Sequence, residues 1–287
     1  MINILVTGSK GQVGSEIRQI SKNFSQYNFL FVDLSELDIT NHQKVRKFIL
    51  HNNINVIINC AAYTDVDKAE SNSVIADSVN HLAVKNLAQI SKENDIKLIH
   101  ISTDYVFDGY NKSPYSEEDI PNPLSVYGKT KYDGELSIKN INPKNSIIIR
   151  TSWVYSNHGK NFVNTMLELS KGKEEISVVS DQYGSPTNAA DLADVILKIV
   201  PKINNEDVEF FHFSNGGVCS WYDFAKTIFK LKQVLTKVKP LNSDEYKTIA
   251  VRPLNNVMNK NKIKTSYGIE IVPWEISLNK YLQKINN

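Results

Sequence analysis

Ile2-Asn-Ile-Leu-Val6 leads directly into the glycine-rich segment Thr7-Gly8-Ser9-Lys10-Gly11-Gln12-Val13-Gly14. The apolar run is typical of a buried strand, and a helical pattern opens at Gly14. Glycines spaced G-x-x-G-x-x-G allow a tight turn, a close approach of the backbone to a pyrophosphate, and close packing of helix on strand. Free N–H groups at the helix start would face the anion. A glycine turn without a ligand is the alternative, and the strand–turn–helix context argues against it.

Strand-like and helix-like segments alternate through the first half of the chain. The predicted strands are 2–6, 29–33, 55–60, 97–102 and 145–150, and the predicted helices are 14–21, 43–52, 74–93 and 125–140. Such alternation predicts a doubly wound parallel sheet with helices on both faces and right-handed crossovers.

The second half is less regular. The sequence there predicts helices at 161–171, 189–200 and 221–231, a strand at 210–213, a loop at 182–187 and a helical tail after Pro273. We therefore predict an α/β fold with a Rossmann dinucleotide-binding domain over residues 1–155. A smaller mixed α/β substrate domain covers 156–287, with some of its chain returning to the first domain.

Composition excludes several classes of protein. Hydrophobic residues make up 41% and charged residues 22%, as in ordinary globular proteins. The net charge is +2 with no block of like charge, so nothing favours nucleic acid or an anionic membrane. Cys60 and Cys219 lack metal-ligand spacing and are interpreted as small buried hydrophobes. The apolar stretch from Ile2 to Val6 is too short for a signal peptide, and no run reaches about 18 apolar residues, so we expect a cytoplasmic protein.

Asp33 ends the second predicted strand, where an acidic residue usually binds the adenosine ribose hydroxyls of a dinucleotide. This position favours NAD over NADP, because a carboxylate repels a 2′-phosphate. Lys10 in the glycine turn favours the opposite choice, since its ammonium group can reach such a phosphate. The choice between NADH and NADPH stays open.

Tyr127 and Lys131 lie four residues apart, on one face of a predicted helix. A phenol has an ordinary pKa near 10, and a nearby ammonium group favours the phenolate and lowers that pKa. The pair would make Tyr127 the general acid that protonates a carbonyl oxygen while hydride arrives. Such pairs are frequent by chance, so position decides. Ser102-Thr103-Asp104-Tyr105 ends a strand at the edge where parallel sheets bind ligands, and a hydroxyl there can reach the same oxygen.

With these residues assembled, the sequence resembles the extended short-chain dehydrogenases and, within them, the dTDP-4-dehydrorhamnose reductase family. The resemblance covers nearly the whole chain. It rests on the glycine turn and on Ala61-Ala-Tyr-Thr-Asp-Val-Asp-Lys-Ala-Glu70, Ser102-Thr-Asp-Tyr-Val-Phe107, Val126-Tyr-Gly-Lys-Thr-Lys131, Arg150-Thr-Ser-Trp-Val-Tyr155, Asp181-Gln-Tyr-Gly-Ser-Pro-Thr187 and Ala250-Val-Arg-Pro253.

The resemblance implies a role for each matched position. Thr103, Tyr127 and Lys131 match the catalytic triad, and Tyr127 and Lys131 also contact the cofactor. Asp104, Tyr105, Trp153 and Arg252 match the substrate side. The implied cofactor contacts are Gly8, Lys10, Gly11, Gln12, Val13, Gly14, Asp33, Asp38, Ile39, Ala61, Ala62 and Thr64. The implied reaction is reduction by NADPH or NADH of the 4-keto group of dTDP-4-dehydro-L-rhamnose, a nucleotide-linked sugar, to give dTDP-L-rhamnose.

Two departures from the family's pattern matter. Asn256 stands where the family often has a serine, so the nucleotide or diphosphate end of the site is expected to differ. Some relatives form a dimer through magnesium held by glutamates. Glu16 keeps one such position but Ala190 replaces the other, so we expect no metal and interpret Glu16 as a first-turn residue favoured by the helix dipole.

Other functions remain open at this point. The chain is expected to be a monomer or a homodimer. A reductase of another nucleotide-linked keto-sugar keeps the same chemistry, and a regulatory subunit of methionine adenosyltransferase would be a non-catalytic relative. The intact set of Thr103, Tyr127 and Lys131 argues against the regulatory subunit, and Asp104-Tyr105 stands where a 4,6-dehydratase would need an Asp-Glu pair.

Overall fold

The computed structural model describes residues 1–285. The strands are β1 (Ile2–Thr7), β2 (Tyr27–Phe31), β3 (Val56–Asn59), β4 (Lys97–Thr103), β5 (Ile147–Thr151), β6 (Val154–Tyr155), β7 (Glu175–Val179), β8 (Tyr183–Gly184), β9 (Thr187–Asn188), β10 (Glu209–His212), β11 (Cys219–Ser220) and β12 (Lys237–Leu241). The helices are α1 (Gln12–Ile20), α2 (His42–His51), α3 (Val66–Ser71), α4 (Ser73–Asp77), α5 (Ala83–Glu93), α6 (Val126–Ile141), α7 (Phe162–Leu169), α8 (Ala189–Ile199), α9 (Trp221–Leu231), α10 (Asn261–Tyr267) and α11 (Trp274–Lys284).

A six-stranded parallel sheet lies at the centre, in the order β10-β5-β4-β3-β1-β2. All residues of β3 and β5 are buried, as expected for central strands covered on both faces. Successive residues of β1 enter opposite cores: Ile4 packs in a cluster with α1 and α8, whereas Leu5 packs in a cluster with α2 and α5. The predicted doubly wound sheet with helices on both faces is confirmed.

The predicted helices of the first half also form, with one correction at α1. This helix begins at Gln12, two residues before the predicted start, so Glu16 is its fifth residue. The interpretation of Glu16 as a first-turn residue is therefore wrong. The predicted helix over 74–93 is a continuous path of α4, a π-helical segment at Ser78–Leu82, and α5.

The second half contributes a third core and small two-stranded sheets. Strand pairs β7–β12, β8–β11 and β6–β9 lie around a cluster that includes Tyr155, Phe224 and Trp274. Strand β10 leaves this half and pairs with β5 in the central sheet. The predicted loop over 182–187 contains β8 and the first residue of β9. The division at residue 155 stays a prediction.

Residues 1–285 include no helix that is long and apolar enough to cross a membrane.

Candidate active site

A cavity of about 1310 Å³ opens at the carboxyl edge of the central sheet. Every residue that the sequence assigned to the site, except Gly14, lines this cavity. The glycine turn, the ends of β3 and β4, and the start of α6 supply one side of its wall, and Trp153 and Arg252 come from later in the chain. The topology explains this convergence, because parallel strands deliver their carboxyl ends to a single edge.

Two glycines of the turn have different functions. Gly8 lines the cavity with φ of +61°, and a Cβ placed there would lie 2.6 Å from the backbone nitrogen of Ala61. A Cβ on Gly14 would lie 2.4 Å from the carbonyl oxygen of Gly8. Gly14 therefore allows helix α1 to pack beneath the turn, whereas Gly8 lets the backbone pass close to the end of β3.

Asp33 and Lys10 form the corner where an adenosine ribose is expected. The Asp33 carboxylate accepts hydrogen bonds from the backbone N–H of Lys10 and of Leu34, both at 2.8 Å. The Lys10 ammonium group is paired with Glu36 Oε1 at 2.7 Å and with Ser35 Oγ at 2.8 Å. The hydrogen bond from Lys10 is the largest of the causes that lower the pKa of Glu36 to about 2. Lys10 is thus held by a carboxylate in this corner, and its charge is partly compensated.

Tyr127 lies in the first turn of α6, whose N-cap Ser125 accepts a hydrogen bond from the backbone N–H of Gly128. Its ring packs edge-to-face against Tyr105, with ring centroids 5.5 Å apart. Burial raises the pKa of Tyr127 above its ordinary value, against the opposing effect of a hydrogen bond with Thr103. The sequence-based expectation of a lowered pKa is therefore not met in this structure, because burial outweighs the hydrogen bond with Thr103 and the charges of Asp104 and Tyr105 act in the same direction as burial.

Lys131 is 2% exposed and lines the cavity one turn after Tyr127. Its Nζ donates to the carbonyl oxygen of Ile101 at 2.7 Å and lies 3.2 Å from Nε2 of His100. Burial lowers the pKa of Lys131 to about 8, although the charges of Glu135 and Cys60 act in the opposite direction. This ammonium group therefore titrates close to physiological pH.

Thr103 and Asp104 end β4 with their side chains hydrogen-bonded to each other. Thr103 Oγ1 donates to Asp104 Oδ1 at 3.1 Å, and Asn256 Nδ2 donates to Asp104 Oδ2 at 2.8 Å. Burial raises the pKa of Asp104 to about 7, and the hydrogen bonds from Asn256 and Thr103 limit that increase. Asn256 is 3% exposed and lies behind the cavity wall. Asn256 thus contacts Asp104, and its effect on the nucleotide or diphosphate end of the site stays a prediction.

Arg252 joins two other elements at the mouth of the cavity. Its Nη2 lies 2.7 Å from Asp67 Oδ2 on α3, and its Nη1 donates to the Tyr105 hydroxyl at 3.0 Å. Burial acts to lower the pKa of Arg252, but the hydrogen bond with Tyr105 and the Coulombic interactions with Tyr105 and Asp67 together raise it above its ordinary value. The guanidinium group is therefore a fixed positive charge close to the end of β4.

Trp153 forms an aromatic wall with Trp221. The two rings stack with centroids 3.5 Å apart and planes 9° apart, and both side chains line the cavity. Trp153 has a φ of +49°, an uncommon conformation for a bulky residue. A flat apolar face of this kind suits the apolar edge of a deoxysugar.

Sequence reasoning missed several lining residues, including Val66, Val74, Ile75, Lys160 and Trp221. The side chains of Val74 and Ile75 are 81% and 53% exposed, which is unusual for apolar groups on a helix that packs against a core. The only signal in the sequence was their apolar character, which also fits burial. Lys160 comes from the segment before α7, where no motif marks it.

Comparisons with known proteins place this geometry in a family. The family model for the RmlD substrate binding domain matches residues 2–287. The chain is 42% identical to the dTDP-4-dehydrorhamnose reductase of Aggregatibacter actinomycetemcomitans, and the match covers 97% of each chain.

Two solved structures agree. A dTDP-4-dehydrorhamnose reductase from Clostridium acetobutylicum superposes with a TM-score of 0.95 at 41% identity, covering 100% of both chains. The enzyme of the same name from Bacillus anthracis, solved in complex with NADP, superposes with a TM-score of 0.94 at 37% identity. The match covers 99% of this chain and 100% of that chain. The chain therefore belongs to the RmlD family, whose relatives described above are dTDP-4-dehydrorhamnose reductases.

Proposed function

We propose that the chain reduces the 4-keto group of dTDP-4-dehydro-L-rhamnose to a hydroxyl group, using NADPH or NADH. The observation that carries this proposal is the meeting of Thr103, Tyr127 and Lys131 with the glycine turn in one cavity. Family membership over nearly the whole chain supports the same reaction.

The site fits a nicotinamide dinucleotide. The backbone of Gly8, Gly11, Gln12 and Val13 would face the pyrophosphate, and the space beside Gly8 is too small for a Cβ. Asp33 would bind the adenosine ribose, and the adenine would lie near Asp38 and Ile39. Ala61, Ala62 and Thr64 would cover the middle of the cofactor, and Lys131 would bind the nicotinamide ribose. When bound, the cofactor supplies the hydride that adds to C4 of the sugar.

The protein's own residues manage the proton. Tyr127 would give its phenolic proton to the carbonyl oxygen, which becomes the 4-hydroxyl. The Thr103 hydroxyl would turn from Asp104 Oδ1 to donate a hydrogen bond to the same oxygen. The charge of Lys131 would stabilise the phenolate that remains on Tyr127. Because burial favours the neutral phenol, Tyr127 is kept protonated and ready to donate.

The remaining groups would hold the nucleotide-linked sugar. The face of Trp153 would pack against the deoxysugar, beside Asp104 and Tyr105. Arg252 would offer its positive charge to the diphosphate. We further propose that the protein acts in the cytoplasm, as a monomer or a homodimer.

The test is NADPH and NADH oxidation with freshly generated dTDP-4-dehydro-L-rhamnose, each cofactor assayed separately. We expect one equivalent oxidised per keto-sugar, and a fall in turnover of at least about 100-fold in Tyr127→Phe, the lower range for one acid–base group. Tyr132→Phe is the matched control, because Tyr132 lies on the same helix and packs against a core cluster away from the cavity.

Near-normal turnover in Tyr127→Phe would remove this tyrosine from the mechanism. An enzyme that binds the cofactor but oxidises none of it with this sugar would contradict the proposed substrate. Oxidation with another nucleotide-linked keto-sugar would then identify the alternative reductase.

A further inference from the structure

Buried polar side chains form a continuous path across the central sheet to Lys131. Thr7 ends β1, Asn59 ends β3, and His100 lies on β4, and the register places Thr7 beside Asn59 and Asn59 beside His100. These three side chains are 1%, 0% and 0% exposed. The contacts are 2.6 Å from Thr7 Oγ1 to Asn59 Oδ1, 3.0 Å from Asn59 Nδ2 to His100 Nδ1, and 3.2 Å from His100 Nε2 to Lys131 Nζ.

The contact with Lys131 determines which nitrogen of His100 carries the proton. A charged ammonium group can only donate, so Nε2 of His100 must accept. A neutral imidazole with a free Nε2 carries its proton on Nδ1. The doubly protonated ring is disfavoured, because burial and the charge of Lys131 lower the pKa of His100 well below its ordinary value.

The Nδ1–H group then needs an acceptor, and Asn59 supplies one. With Asn59 Nδ2 facing His100, both Asn59 and Lys131 would be donors toward a ring that has only one accepting nitrogen. A half-turn of the Asn59 carboxamide, which exchanges two atoms of nearly identical shape, turns Oδ1 toward His100 and Nδ2 toward Thr7. Every contact of the path then pairs a donor with an acceptor.

We propose that His100, held as its Nδ1–H tautomer by Asn59, is a positioning residue that keeps Lys131 charged and oriented. The ammonium group has three N–H donors. The carbonyl oxygen of Ile101 and Nε2 of His100 accept two of them, which leaves the third for the cavity that Lys131 lines. This inference rests on the proposed function in one respect, that the third N–H binds the nicotinamide ribose.

Other groups around Lys131 influence how far its pKa would change when His100 is replaced. Glu135, one turn along α6, and Cys60, after β3, act to raise the pKa of Lys131, whereas burial acts to lower it. Removing the accepting nitrogen of His100 removes a hydrogen bond that favours the charged form of Lys131, so burial would lower the pKa of Lys131 further. The charged form of Lys131 would then be lost at a lower pH.

The first experiment compares His100→Leu with His100→Gln in the full-length protein. In His100→Leu we expect the alkaline limb of the kcat profile to move down by about one pH unit or more, and the Kd for NADPH to rise about tenfold, as for one lost hydrogen bond to a charged group. In His100→Gln the side-chain carbonyl can reach the position of Nε2, so both quantities should return toward those of the unmodified protein.

His212→Gln is the matched control. His212 is also fully buried and lies on β10, where its Nδ1 is 3.2 Å from the carbonyl oxygen of Tyr115. Substitution there removes a buried imidazole without touching Lys131, so the alkaline limb should not move. An unshifted limb together with an unchanged Kd in His100→Leu would overturn the proposal.

The second experiment reads the tautomer directly and needs no turnover. Protein labelled with ¹⁵N-histidine and saturated with NADP⁺ is observed by long-range ¹H–¹⁵N correlation, and His100 is assigned by its absence from the spectrum of His100→Gln. We expect the pattern of an Nδ1–H ring. An Nε2–H pattern would overturn the proposal even if the reductase assay succeeds, and an Nδ1–H pattern would stand even if dTDP-4-dehydro-L-rhamnose is not the substrate.

Discussion

The carboxyl group of Asp104 is 2% exposed, and its side-chain hydrogen-bond donors, Thr103 and Asn256, are uncharged. Burial raises its pKa from 3.8 to about 7. A folded-state pKa above the unfolded one means that the folded protein binds this proton more tightly. The contribution of Asp104 to stability is therefore most favourable below about pH 4, and it is lost as the pH rises toward 7. A rise in pKa from 3.8 to about 7 corresponds to roughly 4 kcal/mol.

Asp104→Asn should remove this dependence. We expect the variant to have a higher free energy of unfolding than the unmodified protein at pH 8, with a smaller difference at pH 5. The buried Oδ1 of Asn256 has no partner, so a rotated Asn256 carboxamide can accept a hydrogen bond from the new amide. Urea denaturation at the two pH values measures the effect. Parallel pH profiles for the two proteins would show that Asp104 does not titrate in this range.

Gly8 and Gly172 provide a comparison between two positive-φ glycines. Both have φ above +60°, but a Cβ on Gly8 would lie 2.6 Å from the nitrogen of Ala61, whereas nothing lies within 4 Å of one on Gly172. We expect Gly172→Ala to cost about 1–2 kcal/mol of unfolding free energy from backbone strain alone. Gly8→Ala should cost more and also weaken NADPH binding, because the turn must move away from β3. Equal losses of stability with unchanged cofactor affinity would contradict this account.

Helix α6 carries both Tyr127 and Lys131, and a buried ion pair fixes it to the sheet. Glu135 on α6 accepts hydrogen bonds from Nε and Nη2 of Arg150 on β5, the shortest at 2.7 Å, and the two side chains are 0% and 3% exposed. Glu135→Gln leaves the guanidinium group buried without a countercharge, which should lower the free energy of unfolding by about 3–5 kcal/mol.

The control for Glu135→Gln is Glu168→Gln. Glu168 pairs with Lys171 on the surface, where both side chains are 73% exposed, so its loss should change stability by at most about 1 kcal/mol. Urea denaturation measures both variants. Similar small effects would mean that the buried pair does not secure α6.

Helices and strands that were predictable from the sequence have a clear local pattern of apolar residues, and those that were missed do not. Strands β1, β3 and β4 are apolar runs with clear limits, so their places were predictable. Strand β12 contains lysines and Pro240, and it pairs with β7 alone, so its formation depends on a partner distant in the sequence. Helices α3 and α10 are only 6 and 7 residues long, too short for a clear period.

Some residues of the candidate site were predictable from local spacing, whereas contacts between distant positions were not. Spacing placed Tyr127 and Lys131 on one helix face, and the strand ends placed Thr103 at the same edge, because these relations are local or follow from the parallel sheet. The contact between Asn256 and Asp104 joins positions 152 residues apart. No local pattern carries such a contact, and the same applies to the path from Thr7 to His100.

The charges of Lys10, Asp33 and Glu36 are expected to influence whether the protein binds NADPH or NADH more tightly. A ligand that binds only the folded state stabilises it by about 2.7 kcal/mol at 100 times its Kd. If the adenosine ribose binds at Asp33 as proposed, a 2′-phosphate would approach the Asp33 carboxylate and Lys10, whose ammonium group is paired with Glu36. Glu36→Gln removes one negative charge and releases Lys10, so it should increase stabilisation by NADPH relative to NADH.

Thermal shift titrations with both dinucleotides measure this change in selectivity. Lys239 and Glu175 form a similar exposed ion pair far along the chain, and Glu175→Gln is the control that should leave the ratio of the two affinities unchanged. A constant ratio in Glu36→Gln would show that Lys10 does not reach the 2′-phosphate.

The stacked pair of Trp153 and Trp221 also gives the molecule a built-in optical reporter. The chain has three tryptophans, and the third, Trp274, is 4% exposed and packs on Phe224 in the third core. Reduced nicotinamide absorbs at the wavelengths where indoles emit, so its arrival beside Trp153 and Trp221 would quench their fluorescence by energy transfer. Indole transition dipoles stacked at 3.5 Å also couple, and their circular dichroism band would change when a sugar ring lies against Trp153. Each proposed ligand would therefore have its own unlabelled signal, and the order in which the two bind could be followed in real time.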